Sequence, residues 1–244
     1  MPTPSAVDRY LEPLLEGDRQ ACREYVRAQL ESAHGDASQV FRTLLWPTME
    51  RIDTLYRNDR INAAAEHMAT RINRSLADQL QTSLRSLPAN GKCVLVTSAD
   101  GEPEELGAQM TADLFEARGW KVHFLGGGVP NDEVLSLVGR LRPELLLIFG
   151  TQPAGIPQVR ALVDLIRSVG PNPTMNIMVS GGVFNRADGL WKEVHADLFA
   201  KTAKEAIPMA EKAKPREPQI VIPGAPKKRR RRRRPPLLAS AQAD

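Results

Sequence analysis

The stretch "GKCVLVTSADGEPEELGAQM", residues 91–110, decides the fold. A short run of β-formers, "KCVLV", passes through a polar turn into helix-forming sequence, the junction at which α/β proteins place ligands. The helix entrance carries three carboxylates, Glu102, Glu104 and Glu105, but no His or Lys, and its one useful glycine is Gly107. Acidic residues suit the first turn of a helix through its dipole, and Pro103 suits a first-turn position. The acids therefore fit the helix whether or not they meet a ligand.

Downstream the same alternation repeats. "CVLVTS" precedes a helix over 104–118, "KVHFLG" one over 130–141, "LLLIFG" one over 156–168 and "MNIMVSGG" one over 186–194; "ADLFA" with "TAKEAIPMAEKA" completes the series. Five strands separated by helices predict a doubly wound parallel sheet over 90–212. Right-handed crossovers then leave the loops after strands one, three and four on one carboxyl edge. Upstream, residues 7–86 read as four helices, with Tyr10, Leu14, Leu15, Cys22, Val26 and Leu30 at helical spacing and Asp18 as an N-cap. Short breaks between them predict a helical bundle, so the class is an α bundle followed by an α/β domain. Residues 213–244, rich in proline and charge, are expected to be a disordered basic tail.

Composition bounds the function. Of the net charge of +4, the run Lys227, Lys228, Arg229, Arg230, Arg231, Arg232, Arg233 and Arg234 supplies +8, so the rest of the chain is mildly acidic. Such a run without aromatic interleaving suits sequence-independent contact with nucleic acid or another acidic surface. No apolar run is long enough to span a bilayer and no signal pattern opens the chain, so a cytoplasmic protein is expected. Cys22 and Cys93 lack metal-site or disulfide spacing and read as ordinary thiols. His123 and His195 read as structural. "LGGGVP", residues 125–130, lacks the spacing of a phosphate loop and reads as a flexible turn, whereas "VSGG", residues 179–182, lies where a ligand tail would approach the sheet edge.

The order of parts resembles the cobalamin-binding regulatory module of the light-sensing CarH repressors and the AerR/PpaA regulators of photosynthesis genes, and more distantly the corrinoid proteins of methyltransferase systems. The likeness covers residues 7–212. It rests on "LEGDRQACREYVRAQL", "LWPTMERIDTLYRNDRINAAAEH", "FLGGGVPNDEVLSLVGRLRPELLLI" and "VSGGVFN...HADLFAKTAKEAI". It implies a four-helix bundle capping a flavodoxin-like five-stranded domain. In the light-sensing members a Trp, nine residues and Glu-His cap the corrin from above; here Glu66-His67 is kept and Tyr56 holds the Trp position. His67 is then the candidate upper-face cobalt ligand.

The family signature is Asp/Glu-x-His-x-x-Gly after strand one, Ser-x-Leu after strand three and Gly-Gly after strand four. Its His replaces the lower cobalt ligand and the carboxylate before it orients the imidazole. Here the first motif becomes Glu102-x-Glu104-x-x-Gly107, the second Gly150-Thr151-Gln152, and the third survives as Gly181-Gly182. A carboxylate is a hard donor poorly matched to low-spin cobalt, and a second carboxylate beside it repels rather than polarises it. The resemblance therefore implies a non-catalytic regulator that engages a transcription repressor as an antirepressor. Its ligand is a cobalamin held without a lower His, another tetrapyrrole such as haem or a bilin, or none. A corrinoid methyl carrier and a ligand-free scaffold that binds a protein partner are the alternatives.

Overall fold

The computed structural model describes residues 5–99 and 105–218. Helix α1 (Ala6–Glu16) starts at a capping box, in which the Ser5 hydroxyl accepts the Asp8 N–H at 3.1 Å and the Asp8 carboxylate accepts the Ser5 N–H at 3.2 Å. Gly17, at φ +76°, ends it in the left-handed region where a glycine is favoured. The Asp18 carboxylate then caps α2 (Arg19–Ser32), as the sequence predicts, accepting the N–H groups of Gln20 and Ala21. Helix α3 (Ala37–Val40), a π-helical turn (Phe41–Leu45) and α4 (Trp46–Arg57) run on as one rod, every junction residue remaining in the right-handed helical region. Helix α5 (Ala63–Gln81), capped by Asn62, completes the bundle. Tyr10, Leu14, Cys22, Val26, Leu44 and Leu76 fill its core. Burial pushes the Cys22 thiol up to about 11, which fits an unreactive packing residue.

The second half alternates strand and helix: β1 (Cys93–Ser98), α6 (Leu106–Ala117), β2 (Lys121–Gly126), α7 (Asn131–Leu141), β3 (Leu145–Phe149), α8 (Ile156–Val169), β4 (Asn176–Ser180), α9 (Gly182–Arg186), α10 (Leu190–Glu193), β5 (Leu198–Ala200) and α11 (Ala203–Lys212). All pairings are parallel and the order is β2-β1-β3-β4-β5. This doubly wound sheet is the one expected, with its topological switch between β1 and β3. β3 and β4 are buried at every position, as continuous apolar strands covered on both faces must be.

One expectation is corrected. The helix over 186–194 is instead two short helices, α9 and α10, because the chain turns helical directly at Gly182 and breaks at Gly189, whose φ is +80°. The expected structure of residues 213–244 falls largely outside the described residues, which end at 218. Among the described residues, no helix is long and apolar enough to cross a membrane.

Helix α6 joins the two halves. Leu106 and Met110 sit in the core of the bundle, while Ala108, Ala112 and Phe115 pack on the sheet. These positions alternate at helical spacing, so one helix presents two apolar stripes to two partners. Packing on both sides fixes the bundle over the carboxyl edge of the sheet.

Candidate functional site

Between the bundle and that edge lies a cleft of about 180 Å³. Its upper wall is one face of α4, where Trp46, Met49, Asp53 and Tyr56 recur at spacings of three and four, continued by Glu66, His67 and Thr70 of α5. Its floor is the sheet edge: Gly107 at the start of α6, Phe149 at the end of β3, Thr151, and the Gly181-Gly182 turn after β4. Of the residues singled out in the sequence, Tyr56, Glu66, His67, Gly107, Thr151, Gly181 and Gly182 all line this one cleft. Gly150 lies directly beneath, with its N–H donated to the Ser180 carbonyl at 2.9 Å. Glu102, Glu104 and the basic run 227–234 lie outside the described residues.

The floor needs its glycines. A Cβ on Gly107 would come within 2.5 Å of the Phe149 ring, and one on Gly181 within 2.3 Å of the Gly150 carbonyl oxygen. Gly181 also has φ 104° and ψ 170°, a region open to glycine almost alone. The ends of β3 and β4 therefore approach each other at backbone distance beside Gly181, and the Phe149 ring packs directly on the entrance of α6 at Gly107. The aromatic side of the cleft is Trp46, edge-on to Phe149 with ring centroids 6.2 Å apart, its Nε1 donating to Glu50 at 3.0 Å.

His67 is more than half exposed and its Nε2 lies 3.6 Å from the Glu66 carboxylate. Glu66 is better buried and also accepts the Thr70 hydroxyl at 3.0 Å. The imidazole lies beside that carboxylate and remains accessible. Glu105 departs from the acidic-turn picture: its carboxylate accepts the Gly127 N–H at 2.5 Å and approaches Arg74 of α5 at 3.9 Å. It ties the bundle to the loop after β2 and does not line the cleft. Gly126 and Gly128 in that loop have φ of +74° and +72°, in keeping with a turn rather than a phosphate cradle. His123 lies within β2, and His195 pairs with Asp164 at 2.9 Å; neither lines the cleft.

Sequence reasoning missed Trp46, Phe149, Asp53 and Arg186. Trp46 and Asp53 share the α4 stripe with Tyr56, and helical spacing forward and back from Tyr56 is the signal that finds them. Trp46 stands ten residues from Tyr56, about 15 Å along the helix axis, so the two aromatics serve opposite ends of the cleft. Arg186 reaches across it: one guanidinium nitrogen lies 3.3 Å from Asp53 and another donates to the Thr151 carbonyl at 2.6 Å.

The donor set indicates what could sit here. Among the described residues, no cluster of three His, Cys, Asp or Glu side chains is placed to hold a metal ion. A metal brought in inside a macrocycle would need few donors from the protein, and His67 is the imidazole in the cleft lining that would hold it. The glycine floor, the aromatic walls and the single imidazole fit a flat tetrapyrrole between the two halves.

Comparison with known proteins agrees with this geometry. A model of the B12 binding domain matches residues 92–211, and a second B12 binding domain model matches residues 6–81. A corrinoid protein of Desulfitobacterium hafniense (strain Y51) is 23% identical over 125 residues, 51% of this chain; the match spans 56% of that protein's length. The structure of the Methanosarcina barkeri monomethylamine corrinoid protein superposes with a TM-score of 0.73 at 17% identity, over 84% of this chain and 96% of that one, a likeness of fold. The two domain matches leave out only the termini and the short connector, and the chain belongs to the family built from this pair of B12 binding domains, a helical one followed by a Rossmann-like one.

Proposed function

We propose that this chain is a cytoplasmic, non-catalytic corrinoid-binding regulatory protein, which holds its ligand in the cleft between bundle and sheet and reports that state to a protein partner. The observation that carries the reading is the convergence of both halves on one cleft, His67 and Tyr56 above, Gly107 and Gly181-Gly182 below. A corrinoid supplies a cobalt whose axial positions exchange ligands. His67 is the side chain that would hold the metal of such a group, Trp46 and Tyr56 would flank its ring at the two ends of the cleft, and Gly107 and Gly181-Gly182 would lie on its sheet side.

Glu104 argues for a regulator, because it stands where the family presents its lower imidazole. Methyl transfer cycles cobalt between oxidation states and gains from control of the lower face, which a carboxylate supplies poorly. The AerR/PpaA-type antirepressors supply the pattern for the partner, a transcription repressor. The run 227–234 adds a sequence-independent attraction to nucleic acid, and deleting it is expected to remove a strongly salt-dependent component of DNA binding; equal affinity of the truncated and full chains disproves that role.

A second reading is a corrinoid methyl carrier, in keeping with a relative named as a corrinoid protein. Desalting the protein after mixing with hydroxocobalamin, haem or biliverdin tests the ligand: retention of the cobalamin spectrum is expected. Glu104→His should then shift that spectrum toward a His-ligated form, and no shift means that the loop does not face the cobalt. Methyl turnover with purified methyltransferase partners would replace the regulatory reading with the carrier one. Retention of haem or biliverdin alone would replace the corrinoid, and retention of no chromophore would leave a protein-binding scaffold.

A further inference from the structure

Among the described residues lining the cleft, Arg186 is the one permanent cation, set against Glu50, Asp53 and Glu66. It occupies a built position. It is the last residue of α9, the helix that begins at Gly182, and a Cβ on Gly182 would lie 2.7 Å from its Nη1. The glycine thus lets the guanidinium fold back over the turn. From there it bridges the halves, through Asp53 on α4 and the Thr151 carbonyl at the sheet edge. Asp53 does not depend on this bond, because Arg57 pairs with the same oxygen at 2.9 Å, one helical turn away on α4. Arg186 can leave Asp53 without stranding a bare carboxylate.

Resting on the corrinoid reading, we propose that Arg186 is the group by which this chain selects a complete cobalamin, exchanging Asp53 for the phosphodiester of the ligand's nucleotide tail. The chemistry is one of elimination. The corrin periphery carries neutral amides and the cobalt centre is cationic, so the phosphodiester is the one anionic part of the ligand. A planar guanidinium with several donors matches phosphate oxygens well. The three carboxylates nearby repel an anion, so the phosphate has one favourable address in the cleft. Asp53 acts as the internal competitor, and the Arg186–Asp53 pair as a bridge that opens when the tail arrives.

The test compares cyanocobalamin with dicyanocobinamide, which lacks the nucleotide tail, by equilibrium titration of the full chain. The wild type is expected to prefer cobalamin. Arg186→Gln should weaken cobalamin binding about 10-fold or more while leaving cobinamide nearly unchanged. Asp53→Asn should tighten cobalamin by about 3-fold, the worth of a partly exposed ion pair. Arg186→Lys, which keeps the charge but loses the fork, should retain part of the preference and serves should the Gln variant not fold. Equal affinities for the two corrinoids in the wild type, or equal weakening of both by Arg186→Gln, overturn the assignment while corrinoid binding stands. Binding of neither corrinoid overturns both.

Discussion

Gly181→Ala is expected to cost about 3 kcal/mol or more of folding stability and to damage the cleft in the same step. The φ and ψ of Gly181 already lie where a side-chain-bearing residue is strained by about 1–3 kcal/mol. The added Cβ would also meet the Gly150 oxygen at 2.3 Å, its nitrogen at 2.9 Å and its carbonyl carbon at 3.0 Å. All three are backbone atoms, so no rotamer change relieves the contact. They cannot retreat cheaply either, since the Gly150 N–H is bonded to the Ser180 carbonyl and its own carbonyl accepts the Val183 N–H at 3.3 Å. Relief requires β3 and β4 to part just past their ends, which moves Gly182 and with it the guanidinium of Arg186. Gly128→Ala is the control, a positive-φ glycine with nothing within 4 Å of its Cβ, expected to cost about 1 kcal/mol. Urea denaturation of both variants reads the difference, and a Gly181→Ala protein as stable as the control would mean that the close approach is not a constraint on the fold.

The strands were legible because most are short, nearly continuous apolar runs bounded by turn residues, a pattern that a buried parallel sheet imposes on sequence directly. The floor of the cleft was legible through the family motif, whose glycines stand at Gly107 and Gly181-Gly182; of these, Gly181 is required by backbone geometry, while Gly107 and Gly182 make room for the Phe149 ring and the Arg186 guanidinium. The upper wall was only half visible. Along α4 the cleft face mixes Trp46 and Met49 with Asp53, so it lacks the uniform apolar stripe that marks a core-facing helix, and only Tyr56 stood out. Arg186 could not have been read at all. Its partner Asp53 lies 133 residues earlier, and the pair exists only because α6 packs into both cores and sets the bundle over the sheet. The role of Glu105 was hidden similarly, since its bond to the Gly127 N–H depends on a crossover rather than on local sequence.

The same helix that joins the halves carries a pH-dependent cost. Asp113 of α6 is pushed up from 3.8 to about 7, first by burial and then by the charges of Glu116 and of Asp78 on α5. One of its carboxylate oxygens is buried without a hydrogen-bond partner. The folded chain therefore holds a proton on Asp113 that the unfolded chain has already lost over the range from about pH 4 to about pH 7. Folding stability contributed by this residue falls as the pH rises through that window and is flat outside it. The shift taken whole is worth about 4 kcal/mol, and partial solvent contact reduces the expected effect to about 2 kcal/mol. Asp113→Asn removes the titration without changing the shape, so the stability of the variant relative to wild type should grow by about 2 kcal/mol between pH 4 and pH 8, mostly below pH 7. Urea titrations at several pH values measure the difference directly, and a constant offset would show that Asp113 ionises freely in the folded protein. The consequence reaches the cleft, because α6 brings Gly107 to its floor and Gln109 of the same helix bonds Asp78 at 2.5 Å. Ionisation of Asp113 adds a third charge beside Asp78 and Glu116, which loads the contact between α5 and α6 that holds the two walls of the cleft together.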